Sequence, residues 1–145
     1  MVEVQFRFRN DEAVNDPAVT VDSFAQQTNA AAVRIEPGDD ARALLPHLEQ
    51  IALVEVNFPA WTDGRGYSSA RVLREAGYTG ELRAVGDIAP DMLGHLQRCG
   101  FDAFAPDKAL NPADAEAAFG RWNNVYQATV VDGRQAIWAK RHPAA

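Results

Sequence analysis

Asn57, Thr62, Asp63, Arg65 and Ser68, with Gly64 and Gly66 between them, place more polar side chains in one short stretch than a connection between packed elements needs. The chemistry such a set supports is anion binding. Gly64 and Gly66 let backbone N–H groups approach a ligand, Arg65 brings a fork of donors, and a helix expected to begin at Ser68 or Ser69 turns its positive end towards the same place. A small oxyanion suits that description. The same residues also suit a plain turn, in which Ser68 caps the helix, the glycines turn the chain and Asp63 pairs with Arg65 at the surface. The spacing matches neither a Walker loop nor a full dinucleotide fingerprint.

Other groups gather where short apolar runs end: Glu36 with Asp39, Asp87 with Asp91, and Asp107 with Lys108. Strand parity adds Glu55 and Arg83, which can share one face of neighbouring strands and pair there. Asn57, Glu55, Arg83 and Asp87 are therefore expected to support the anion site. Glu36, Glu55 and Asp87 are the carboxylates a hard divalent cation would use, but no local ligand motif accompanies them and no metal is assigned. His95 and Cys99 stand four apart on an expected helix, the spacing of a nucleophile pair. Cys99 belongs to the apolar stripe of that helix and lies at its C-terminal end, where the dipole opposes a thiolate, so a buried structural thiol is expected. Trp61 suits either stacking on a ligand or, as is commoner for an aromatic over a loop, a lid on the core.

The elements that must position these groups follow from periodicity. Val2, Val4, Phe6 and Phe8 alternate with Glu3, Gln5, Arg7 and Arg9, predicting an edge strand with one wet face. Strands are predicted over 33–35, 51–58, 82–86 and 101–104. Between them, Ala41, Leu44, Leu45 and Leu48, then Ser69, Val72, Leu73 and Ala76, then Met92, Leu93, Leu96 and Cys99 have the spacing of inward helix stripes, leaving Arg71, Arg74 and Glu75 wet. A further helix opens at Asn111 and Pro112, and residues 126–131 and 134–139 flank Asp132 and Gly133 as a hairpin. The fold class is α/β: about four parallel strands with crossover helices, as an open three-layer sheet or half of a β/α barrel, plus the C-terminal antiparallel hairpin. One domain over residues 1–145 is expected.

A net charge of −6, with 47% hydrophobic and 23% charged residues, argues for a folded chain without the basic face that nucleic acid or an anionic membrane requires. Cys99 is the only cysteine, so neither an intrachain disulfide nor a cysteine-rich metal motif is available. No apolar run approaches membrane-spanning length and no leader pattern opens the chain; a cytoplasmic protein is expected. Exposed faces of parallel strands need cover, and a homo-oligomer would supply it.

Phe58 to Arg74, Gly80 to Asp87 and Arg98 to Phe104 together resemble the bacterial domain of unknown function 934. The positions that carry the resemblance are Thr62, Asp63, Gly64, Arg65, Gly66, Arg71, Arg74, Glu81, Arg83, Gly86, Asp87, Arg98, Cys99, Gly100 and Asp102. His95 lies in a run where the chain departs from the family pattern. The family is tied to assimilatory sulfite reduction by gene neighbourhood, so the resemblance implies an accessory protein or oxidoreductase, sulfite or sulfate as the anion, and sulfite reductase as a partner. Sulfite reduction is multi-electron chemistry that needs redox cofactors, and no siroheme, iron–sulfur or flavin motif is recognisable. The expected function is assistance to sulfite reduction by binding a small oxyanion or the reductase; the alternatives are a cofactor-dependent oxidoreductase and a non-catalytic oligomeric scaffold. No catalytic residue and no cofactor is assigned.

Overall fold

The computed structural model describes residues 4–14, 16–26, 29–60 and 64–121. Six strands form one sheet: β1 (Phe6–Arg7), β2 (Val19–Thr20), β3 (Ala32–Ile35), β4 (Leu53–Phe58), β5 (Glu81–Gly86) and β6 (Ala103–Pro106). Their order across the sheet is β1-β6-β5-β4-β3-β2, parallel from β2 to β6, with β1 antiparallel against β6. The four predicted strands are all present, and the parallel run gains a fifth in Val19–Thr20. The predicted hairpin lies outside the described residues.

The helices are α1 (Val21–Gln26), a 3-10 helix (Ala41–Gln50), α2 (Arg65–Glu75), α3 (Leu93–Cys99) and α4 (Pro112–Arg121), with a 3-10 turn at Pro90–Met92 leading into α3. Sequential strands lie side by side from β2 to β6, and right-handed crossovers between them put successive helices on the same face. The row is continuous: α1 touches the 3-10 helix, which touches α2, then α3, then α4. Pro46 sits inside the 3-10 helix, where its missing N–H and ring bulk disfavour α-helical bonding.

Between this row and the sheet lies the core. Val33, Ile35, Val54, Val56, Phe58, Leu82, Ala84 and Phe104 point into it and meet Ala70, Leu73, Leu93, Leu96, Ala115 and Ala118 from the helices. Each fully buried large side chain there contributes roughly 1.5–3 kcal/mol. β1 is held to it by aromatic contacts, Phe6 and Phe8 meeting Phe119 of α4 at 5.5 and 4.9 Å between ring centroids.

The opposite face of the sheet carries charge. Arg34, Glu55, Arg83, Ala103 and Arg7 stand in direct register across five strands. Glu55 accepts from Arg34 at 2.9 Å and pairs with Arg83 at 3.4 Å, while Glu81 pairs with Arg83 at 2.8 Å and with Arg7 at 2.9 Å. Ala103 occupies the register position between Arg83 and Arg7, and its small side chain lets Arg7 reach across to Glu81. Thus the face of β1 expected to be wet is paired instead: the Arg7 and Arg9 side chains are only 17% and 12% exposed.

β1 and β2 lie on opposite edges, so the chain between them crosses the whole sheet, about 24 Å for five strand spacings. Its start is anchored at the N-terminal ends of β5 and β6, where Arg9 donates to the Thr79 carbonyl and to Asp102. Asp102 also takes Arg74 at 3.1 Å and the Leu82 N–H at 3.0 Å. Arg74, expected to be wet, is buried: its guanidinium donates to the carbonyls of Gly100, Tyr78 and Gly80 and ties the α2–β5 and α3–β6 loops together. Removing one member of such a buried ion pair leaves the other uncompensated, at a cost of about 3–5 kcal/mol. Arg74→Leu should lower urea-unfolding stability by that amount, whereas Arg71→Leu, on the exposed side of the same helix, should stay within about 0.5 kcal/mol. Equal effects would contradict the buried role of Arg74.

Candidate functional site

Two loops meet at the C-terminal ends of β3 and β4 because those strands are neighbours. The first is a turn from Glu36 to Asp39. Pro37 sets its second position, Gly38 takes φ +94° at the third, and the Asp39 N–H donates to the Glu36 carbonyl at 3.0 Å, the pattern of a type II turn. The Asp39 side chain accepts the Glu36 N–H at 2.8 Å, and Asp40 caps the 3-10 helix by accepting the Arg42 N–H at 3.0 Å. The second loop leads from β4 into α2, and its described part begins at Gly64.

Helix α2 begins at Arg65, three residues earlier than Ser68. Its cap is Gly64, which has no side chain to offer the first turn, and the Tyr67 N–H donates to the Gly64 carbonyl at 3.3 Å; Ser68 lies within the helix and does not cap it. Gly66 therefore has a different task from the one its sequence position implied. It is buried, and a Cβ there would stand 2.6 Å from the Phe58 ring and 2.9 Å from Val56 Cγ1, so glycine is what lets α2 start directly over β4. The inward stripe of α2 is Gly66, Ala70, Leu73 and Arg74, displaced from the predicted Ser69, Val72, Leu73 and Ala76 by the earlier helix start.

Between the two loops is a cleft of about 290 Å³. Its walls are Glu36 to Arg42 on one side and Arg65, Gly66, Ser68, Ser69 and Val72 on the other, with Ile35, Val56 and Asn57 at its base. Asn57 donates its side-chain amide to Glu36 at 2.7 Å, linking the ends of β3 and β4. Arg65 is exposed, and its guanidinium Nη1 lies 4.0 Å from where a Cβ on Gly38 would be, so the two loops approach each other at the cleft mouth.

The structure thus brings together Gly64, Arg65, Gly66, Ser68 and Asn57 of the predicted set around the start of α2. Thr62, Asp63 and Trp61 lie outside the described residues. Glu55 and Arg83 sit mid-strand in the charged row and do not line the cleft, and Asp87 is exposed beyond β5, where its N–H donates to the Phe58 carbonyl at 2.7 Å. With Glu55 engaged by two arginines, it does not converge with Glu36 and Asp87; among the described residues no group of three or more His, Cys, Asp or Glu is placed to hold a metal. Asp40, Arg42 and Ser69 were not in the predicted set. The signal for them was present in the adjacency of consecutive parallel strands, which brings the loop after β3 against the loop after β4.

The His95–Cys99 pair sits elsewhere, between α2 and α3. Cys99 Sγ lies 3.8 Å from His95 Nε2, and the imidazole packs on the Tyr67 ring at 4.6 Å between centroids. Burial pushes the Cys99 thiol up, with Arg71 opposing, and burial followed by the charges of Arg98 and Arg71 holds His95 below its ordinary value. A neutral thiol beside a neutral imidazole is a poor nucleophile.

Two results check this geometry. Gly66→Ala should destabilise by about 1–3 kcal/mol through overpacking against Phe58, although alanine is the better helix former, while Gly64→Ala, whose nearest new contact is 3.9 Å from Tyr67, should be tolerated. A harmless Gly66→Ala would contradict the close approach of α2 to β4. Cys99 should resist alkylation by iodoacetamide at neutral pH in the folded protein and react fully in denaturant; rapid labelling of the native state would overturn its assignment as a buried thiol.

No helix among the described residues is long and apolar enough to cross a membrane. No curated protein matches the chain, and no solved structure matches it. A family model does, over residues 32–138, from the start of β3 through all the strands and helices that build the cleft. The chain therefore belongs to the family of bacterial proteins of unknown function DUF934.

Proposed function

We propose that this protein binds a small oxyanion in the cleft between the β3 and β4 loops and acts as an accessory protein of sulfite reduction. The observation that carries the anion reading is the cleft at the start of α2: a glycine, Gly64, stands at the cap position, and Arg65, Ser68 and Ser69 stand at the same cleft. Helix N-termini favour anions through their amides and the helix dipole, and a guanidinium adds directed donors. A volume of about 290 Å³ suits a ligand of a few heavy atoms better than a dinucleotide.

The choice of sulfite rests on the likeness of residues 58–104 to a family tied by gene neighbourhood to sulfite reduction. Sulfite reductase is the proposed partner on the same ground. In this reading the cleft holds or delivers the anion, and the redox chemistry belongs to the partner's cofactors.

Thermal unfolding in the presence of sulfite tests the proposal. Ligand at about 100 times its dissociation constant stabilises the native state by about 2.7 kcal/mol, a rise of several degrees for a chain of this size. Arg65→Ala should abolish the rise in a protein that still unfolds cooperatively. Absence of any shift with sulfite, sulfate or phosphate, in a protein that unfolds cooperatively, would remove the oxyanion reading.

A further inference from the structure

Helix α2 starts without a side-chain cap, so its first turn depends on what packs against it. On the core side, Gly66 rests on Phe58 and Val56, and the Tyr67 ring meets Phe58 at 5.4 Å between centroids. The remaining support comes from α3. The His95 imidazole meets the Tyr67 ring at 4.6 Å, tilted by 46°, and its Nε2 lies 3.8 Å from Cys99 Sγ. Cys99 is 1% exposed, so His95 joins the first turn of α2 to a thiol fixed in the core.

That bridge needs an uncharged ring. A neutral imidazole with its proton on Nδ1 can accept the thiol S–H at Nε2, whereas an imidazolium has donors at both nitrogens and no acceptor to offer. Its charge would also be misplaced. Arg71 of α2 and Arg98 of α3 both act on the ring, and both are positive. Asp91, in the turn before α3, acts on Tyr67 and not on the imidazole. Glu75 pairs with Arg71 at 3.4 Å, and Asp114 and Glu116 of α4, which also packs on α3, are exposed. The Tyr67 face attracts a cation only weakly in a seam this open to water. Burial, followed by the charges of Arg98 and Arg71, outweighs it and holds His95 below its ordinary value.

We propose that His95 is a proton-operated latch between α2 and α3: the neutral ring holds the first turn of α2 in place, and protonation in mildly acidic solution lets that turn open. The start of α2 also carries Arg65, Ser68 and Ser69, so one wall of the cleft loosens with it. The latch stands whether or not the cleft takes an anion. Linkage fixes the direction of the effect. In the unfolded chain His95 titrates at its ordinary value of 6.5, so the latch contributes its full stability above that pH and loses it as the pH falls through the lower folded value.

Proton titration of the His95 ring by nuclear magnetic resonance, in the native chain and in urea, tests the latch; the signal that disappears in His95→Gln identifies it. The native midpoint should lie below the unfolded one. Equal midpoints, or a higher native one, would overturn the proposal. Amide hydrogen exchange then locates the effect. From about pH 7.5 to about pH 5, the protection factors of the Ser69 and Ala70 amides should fall about threefold or more in the wild-type chain and stay level in His95→Gln, while those of β5 are unchanged in both. A fall shared by His95→Gln, a fall spread equally to β5, or no fall at all would each show that the His95 proton does not govern this turn.

Discussion

The constraint on which the structure depends is that charges removed from water must be paired. Glu81, Glu55, Arg83 and Asp102 are between 1% and 6% exposed, so each needs a partner of opposite sign within hydrogen-bonding distance. The sheet supplies those partners by register. Arg34, Glu55 and Arg83 stand opposite one another on adjacent parallel strands, and Arg7 completes the row by reaching over Ala103 to Glu81. Such a row gives little net stability compared with an apolar one, but a one-residue slip of any strand would turn its charged side chains towards the helix layer and leave their partners alone. It acts as a register lock.

The same constraint shapes the two ends of the sheet differently. At the N-terminal ends of the strands, Asp102 is shared between Arg9 and Arg74, and Arg74 saturates three carbonyls, which makes that end a closed network. At the C-terminal ends, the β3 and β4 loops meet around Glu36, Asp39, Asp40 and the start of α2, and a cleft remains. One end is built to be satisfied internally. The other leaves a cleft, at the end of the sheet where open parallel α/β folds generally hold their ligands. Residues before 32, outside the family match, supply the strands on both edges of the sheet, and Arg7 and Arg9 of that segment join the networks of the matched part.

Much of this was legible in the chain itself. Alternation marked the strands, stripes at helical spacing marked the helices, and parity along β4 and β5 was enough to pair Glu55 with Arg83. What escaped has a common cause, since each case depends on which elements become neighbours. Arg74 looks like a solvated helix residue until the loops at Tyr78, Gly80 and Gly100 close around it. Arg7 and Arg9 look like a wet strand face until Glu81 and Asp102 meet them. Gly66 suits a ligand loop until helix α2 is seen to start one residue before it and to rest on Phe58. The cleft itself joins two stretches, Glu36 to Arg42 and Arg65 to Val72, that are individually ordinary turns and helix starts; their chemistry exists only once β3 lies beside β4.

The central claim is that this cleft is where the protein meets a small anion, and nuclear magnetic resonance of the amide groups tests it most directly. In a nitrogen-labelled sample titrated with sulfite, the account predicts saturable shifts confined to the backbone amides of Gly64 to Ser69 and Glu36 to Arg42 and to the side-chain amide of Asn57. Shifts centred instead on Tyr67, His95 and Cys99, or spread evenly over the surface without saturation, would contradict it.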